Sequence, residues 1–221
     1  MSPLFVHAAA VEGAAIEASL AAKGQRSEGL GVGKVAAATA LVALLRARRA
    51  AGAEPQLVCV LGVAGAYPKG HLRAGLEPLE MLEACVVEAD GYADEGVMTP
   101  GGFRDLGAMQ LGAVGPWSAD AGASAKLAEA LHCRRVRGAT VSTGAGVDGL
   151  SIAHALRTGA QVESMEGAAL AWVCAELGVP MVQVRVISNR TGARTEHSWD
   201  LRGALERLGA VAGVVAEALA V

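Results

Sequence analysis

The chain has 221 residues, 52% of them apolar and 19% charged, so it can bury a substantial core, and intrinsic disorder is excluded. Lys and Arg number 19 against 22 Asp and Glu, a net charge of −3, and no cluster of bases stands beside aromatic residues; a binder of nucleic-acid backbones needs the opposite balance. The longest apolar runs, such as Val35 to Leu45, fall short of the roughly 18 to 20 residues of a membrane helix, and the length fits a single domain over residues 1–221.

In chain order, Leu4 to Ala10 reads as a buried strand. It has no basic leader, and His7 and Glu12 interrupt the apolar stretch, so an export signal is not expected and a cytoplasmic location is. Ala14 to Ala22 is helical, Lys23 to Glu28 is a polar break, and Lys34 to Arg49 is a long helix whose basic end suits the negative pole of its dipole. Leu57 to Val63 is a second buried strand running into a small-residue turn, Gly62 to Pro68. Met81 to Val87 has strand character, and Gly91 to Pro116 reads as a long loop excursion. Helices are expected at Ala121 to Leu131, Ser151 to Arg157, Met165 to Leu177 and Leu201 to Ala220; strands at Arg135 to Ser142, Ala160 to Ser164 and Met181 to Ile187; and a polar loop at Ser188 to Ser198. This alternation predicts a three-layer α/β/α fold around a central mixed, largely parallel sheet. Ligands in such folds bind beyond the carboxyl ends of the strands, here after Ala10, Val63, Ser142, Ser164 and Ile187.

Cys59, Cys85, Cys133 and Cys174 are scattered without a CxxC pair, and the five histidines make no ligand spacing, so neither disulfides nor a structural metal is expected. Gly29 to Lys34 invites a phosphate-loop or dinucleotide reading. Val35 stands where a magnesium-binding Ser or Thr is needed, and no strand is recognisable ahead of the glycines, so no cofactor is expected. The remaining reading is a turn capping the Lys34 helix, with free amides for solvent or a small ligand. Three polar groups sit at strand ends: Glu12, Glu166 and Asn189. Each has a plain alternative, a solvated helix-start acid for Glu12, a dipole-stabilising acid for Glu166 and a turn residue for Asn189.

Val162 to Ala169 (VESMEGAA) and Val184 to Asn189 (VRVISN) resemble the signature of the nucleoside phosphorylase and nucleosidase superfamily, and Gly31 to Ala37 and Gly62 to Pro68 are similar to its two glycine-rich segments, in the expected order. Within it, Ile187-Ser188-Asn189, Gly65 to Pro68, Tyr92 to Val97 and Gly102-Phe103 most resemble the futalosine hydrolase family. The resemblance implies removal of hypoxanthine from futalosine on a route to menaquinone, without cofactor or metal, by a homo-oligomer. It assigns Glu166 to the ribose hydroxyls, Met165 to packing under the sugar, Asn189 to purine N7 and O6, Glu12 to the attacking water, and the amides around Ala64 and Gly65 to the sugar and water site. Adenine nucleosidases of the superfamily typically carry Asp where Asn189 stands. An amide donates to N7 and O6 but cannot yield a proton at neutral pH, which tilts the expectation toward a 6-oxopurine.

The strand Leu57 to Leu61 carries no arginine to hold phosphate, so water is the expected acceptor. The region between the first helix and Gly29 is short for the family, which predicts the loss of one or two edge strands, and Glu17 is an alternative to Glu12. Thr143 to Asp148 offers no ring to stack the base; Tyr67, Phe103 and Trp172 remain open for that role. Arg104, Arg190 and Arg194 are loop cations that could meet a substrate carboxylate. An adenine nucleosidase and a nucleoside-binding protein without catalysis are the rival readings.

Overall fold

The computed structural model describes residues 3–193 and 199–220; Arg194 and His197 lie outside them. The elements run β1 (Pro3–His7), α1 (Ala10–Ala21), β2 (Ser27–Gly29), α2 (Lys34–Ala50), β3 (Leu57–Ala66), β4 (Ala84–Tyr92), β5 (Gly96–Thr99), β6 (Gly102–Asp105), β7 (Trp117–Ser118), α3 (Ala121–Ala130), β8 (Arg134–Thr140), α4 (Asp148–Thr158), β9 (Val162–Ser164), α5 (Gly167–Leu177), β10 (Met181–Arg190) and α6 (Leu201–Leu219). Successive strand residues point to opposite faces, and the core divides accordingly. Phe5, Cys59 and Val184 join Ile16, Leu20, Leu208 and Val215 of α1 and α6, whereas Leu4, Val6, Val58 and Val60 join Leu41 and Leu45 of α2 and Leu170 and Cys174 of α5. The result is a central mixed sheet between helical layers, the expected class.

The sheet order is β10-β4-β8-β9-β3-β1-β2, and β10 also pairs with β3. The segment β10-β4-β8-β9-β3 therefore closes on itself, leaving β1 and β2 as an extension, a closure that alternation alone does not announce. One edge of β3 is covered along its length by β10. The other pairs with β1 as far as Val60 and with β9 only at Gly65 and Ala66. That change of partner opens a gap at the carboxyl end of β3.

Four expectations are corrected. The polar break ends inside β2, a parallel partner of β1; a three-residue, half-exposed edge strand needs no apolar alternation to form. The excursion 91–116 contains the β5–β6 hairpin, whose mostly exposed residues lack a core-facing pattern. The strand anticipated at Met81 to Val87 begins and ends later, as β4. Finally, β10 runs on through Asn189 and Arg190, where a loop was expected, because β3 continues to pair with it.

Candidate active site

A cavity of about 250 Å³ occupies the gap beside β3, and Glu12, Ala64, Gly65, Met165, Glu166 and Asn189 all line it. Glu17 is exposed on α1 and is not part of the lining, so the structure separates the two glutamates that sequence left as alternatives.

Glu12 is buried, not a solvated helix-start acid. Its Oε2 accepts the amides of Ala8 and Ala9 at 3.1 and 2.9 Å, and its Oε1 accepts that of Val63 at 2.9 Å. The carboxylate thus ties the start of α1 to β3 while keeping one acceptor direction, on Oε1, for a ligand. A β-carbon on Gly62 would fall 2.7 Å from Glu12 Oε1 and 2.6 Å from Arg185 Nη1. Gly62→Ala is accordingly expected to cost about 1–3 kcal/mol and most of the turnover, read by urea denaturation and by initial rates.

Glu166 occupies the cap position of α5 yet caps nothing there. The free amides of that helix are met instead by Thr140 Oγ1, which accepts from Ala168 at 2.7 Å, and by Ser164 Oγ, which accepts from Gly167 at 3.3 Å. The Glu166 side chain turns to the cavity and takes the Gly33 amide at 2.9 Å, so the glycine turn holds an acid rather than a phosphate. Lys34 of the same turn is engaged elsewhere, by Asp94 and Glu95. Burial pushes the Glu166 carboxyl above its ordinary pKa; nearby Arg185 and the Gly33 amide oppose the shift, and Glu12 adds to it.

Sequence reasoning missed Glu163 and Trp199 in the lining, and, outside the lining, the buried Arg185 that acts on Glu166. Arg185 is only 2% exposed, and its Nη2 donates to Gln183 Oε1 at 3.0 Å. Gln183 Nε2 donates in turn to Asp90 at 3.3 Å, and Thr140 Oγ1 donates to the same carboxylate at 2.9 Å. Burial lifts the Asp90 pKa to about 6, against the pull of Thr140, Arg185 and Gln183. The available signal was a guanidinium in the middle of the apolar strand MVQVRVI, since such a charge is almost never buried without a purpose.

Asn189 is extended backbone in β10, opposite Gly65, not a turn residue. A register irregularity at Ser188 sets its position, as bulges beside functional sites often do. Ser188 Oγ donates to Asn189 Oδ1 at 3.0 Å, which fixes the amide so that Nδ2 is the group presented beside Gly65. A third carboxylate, Glu163, also lines the cavity.

None of the three rings left open for base stacking is in the lining. Tyr67 is buried behind Glu163 and donates its hydroxyl to it, Phe103 lies under the Arg157 guanidinium, and Trp172 stacks on Trp117. The ring in the lining is Trp199. Of the candidate arginines, Arg190 is on the rim, paired with Glu80, Arg104 is exposed on the hairpin, and Arg194 is outside the described residues.

Residues 15–220 match the family model described as the phosphorylase superfamily. The futalosine hydrolase of Thermus thermophilus is 33% identical over 216 residues, covering 94% of this chain and 90% of its own. That of Streptomyces coelicolor is 31% identical, covering 86% and 77%. Among solved structures, a methylthioadenosine/S-adenosylhomocysteine nucleosidase from Colwellia psychrerythraea in complex with adenine superposes with a TM-score of 0.79 at 19% identity, over 99% of this chain and 96% of that one. The futalosine hydrolase of Helicobacter pylori gives 0.69 at 18% identity, over 99% and 95%. At those identities the structures speak to the fold, and the family rests on the sequence matches. The chain belongs to the phosphorylase superfamily.

Proposed function

We propose that the protein is a cytoplasmic N-glycosyl hydrolase, built as one nucleosidase domain, that cleaves futalosine into hypoxanthine and dehypoxanthine futalosine for menaquinone synthesis. The names of the curated relatives support the substrate. The observation that carries the base assignment is the Ser188–Asn189 bond, which orients the amide with Nδ2 beside Gly65; one Nδ2 hydrogen reaches Arg190 O at 3.4 Å, the other is a donor for the base, and N7 and O6 of a 6-oxopurine are both acceptors.

Breaking the glycosidic bond leaves positive charge on the sugar and negative charge on the base, so carboxylates beside the ring favour the transition state over the substrate. Glu166 accepts the ribose 2′- and 3′-hydroxyls and faces the forming cation, with Met165 packed under the sugar. Glu12 takes the proton of the attacking water; its bonds to the Ala8, Ala9 and Val63 amides fix the direction from which it does so. The Ala64 and Gly65 backbone borders the sugar and the water. Arg185 supplies a positive charge that opposes the effect of burial on Glu166 and Asp90 and so favours their ionised forms. Asn189 donates to the base as charge spreads onto O6 and N7. Water, not phosphate, is the acceptor: the rim guanidinium of Arg190 already faces Glu80. The apolar side chains of Val32 and Trp199 at the cavity are what a homo-oligomer, dimer or larger, would cover.

The test is incubation of purified protein with futalosine and with methylthioadenosine, in phosphate-free and in phosphate-containing buffer, followed by chromatography of the bases. Hypoxanthine from futalosine at a phosphate-independent rate is expected. Adenine as the sole product would move the protein to the adenine nucleosidases, and hypoxanthine binding without turnover would make it a binding protein.

A further inference from the structure

Beneath the first turn of α5, an otherwise apolar layer carries a string of polar side chains. Asp90 of β4 and Gln183 and Arg185 of β10 are each at most 2% exposed. Gln183 and Arg185 alternate with Met181 on the face of β10 that packs against α2 and α5. The string has one sense, because a guanidinium only donates and a carboxylate only accepts. Gln183 stands between them, its carbonyl toward Arg185 Nη2 at 3.0 Å and its amide nitrogen toward Asp90 Oδ2 at 3.3 Å. Arg185 Nε has no partner among the described residues, so Gln183 is what holds the guanidinium. At the other end, Asp90 Oδ1 accepts the Thr140 hydroxyl at 2.9 Å, and Thr140 Oγ1 accepts the Ala168 amide at 2.7 Å. The backbone of α5 rests on the string as well. A β-carbon on Gly167 would run into Asp90 Oδ2 and fall 2.6 Å from Gln183 Oε1, and Gly167 is the residue that follows Glu166. With a pKa of about 6, Asp90 is ionised at neutral pH, as the string requires.

We propose that Asp90 is a positioning residue for the glycosidic cleavage: through Thr140 and Gly167 it sets the start of α5, and with it Glu166, and through Gln183 it sets the guanidinium of Arg185. This rests on the futalosine hydrolase reading and deepens it. Asp90, Thr140, Gln183 and Arg185 are all absent from the cavity lining, so they act on the ligand by way of Glu166. The proposal also accounts for a charge that the fold does not need. Apolar residues of like volume stabilise a core as well as a buried ion pair does, or better. One carboxylate that gathers both donors instead fixes the acid and its counter-charge relative to each other, and a small displacement of such groups costs a large part of the rate.

The alternative role for Asp90 is to hold the sheet together, in which case its loss loosens the whole site and disturbs every ligand alike. Asp90→Asn, Gln183→Met and Thr140→Val separate the two roles, with Thr140→Ser as the conservative partner of the last. In Asp90→Asn a single oxygen stands where Thr140 and Gln183 each have their own. Each variant is assayed for futalosine hydrolysis well below its melting temperature and titrated calorimetrically with hypoxanthine, whose proposed contact, Asn189, lies off the string. In the first three variants kcat is expected to fall about 10- to 100-fold while hypoxanthine affinity stays within about threefold of the wild type. Thr140→Ser is expected to recover most of the rate that Thr140→Val loses. Proportional losses of rate and of hypoxanthine affinity overturn the inference. So do equal rates in Thr140→Val and Thr140→Ser, a comparison that changes no charge and stays readable if Asp90→Asn does not fold. Release of hypoxanthine from futalosine by the wild type, together with wild-type kcat in the variants, defeats this inference alone; absence of any release from futalosine by the wild type defeats the parent reading.

Discussion

Replacing Glu12 with Gln is expected to lower kcat about 10²- to 10⁴-fold while KM moves by no more than about threefold, because a general base acts on the reacting water rather than on the bound substrate. Gln keeps one carbonyl oxygen for the amides of Ala8 and Ala9 or of Val63, but it cannot serve both sets. Some loss of stability therefore accompanies the loss of rate, and thermal melting of the variant measures it separately. Glu17→Gln is the control. That residue is exposed and outside the cavity, so its rate is expected to match the wild type. Full turnover in Glu12→Gln would remove Glu12 from the chemistry.

Glu166→Gln is expected to reduce kcat and to raise KM together, with kcat/KM down about 10²- to 10⁴-fold, since the ribose loses its charged acceptor and the sugar cation its counter-charge. The same substitution is expected to raise the melting temperature at neutral pH. Burial holds the folded pKa of Glu166 above its unfolded value, so the stability tied to its protonated form is complete below the unfolded pKa and is lost as pH rises through the folded one. Above that window the ionised acid weakens the fold, and a neutral amide that still accepts from Gly33 relieves it. For activity the sign reverses, because the ionised form is the working one. The wild-type kcat/KM profile should fall on the acid side at a pH above that of an ordinary glutamate. Arg185→Met should move this limb higher still, since the guanidinium now opposes the effect of burial. A limb that stays in place in Arg185→Met would show that the guanidinium does not act on the acid.

The features legible in the sequence were those with strong local signals. Strands such as Leu57 to Leu61 and Met181 to Ile187, and helices such as α2 and α6, follow from apolar runs and periodicity. Glu12, Glu166 and Asn189 stood out as polar groups at strand ends, and the cavity joins all three. What stayed hidden depends on contacts distant in the chain. The closure of the sheet is made by β10 meeting β3, more than a hundred residues earlier, and neither strand differs in pattern from one in an open sheet. Glu163 precedes the Ser-Met-Glu segment by one step, and only its register opposite Gly65 makes it part of the wall. The aromatic candidates were chosen by residue type, whereas their positions are governed by packing: Tyr67 supports Glu163 from behind, and Trp172 stacks on Trp117.

The most direct test is a crystal structure of the Glu12→Gln variant with intact futalosine bound. The account predicts one ligand in the cavity beside β3, its ribose hydroxyls on Glu166, its anomeric carbon near residue 12 and its base edge within hydrogen-bond distance of Asn189 Nδ2. A ligand seated elsewhere, or a base turned away from Asn189 with the ribose off Glu166, would contradict it.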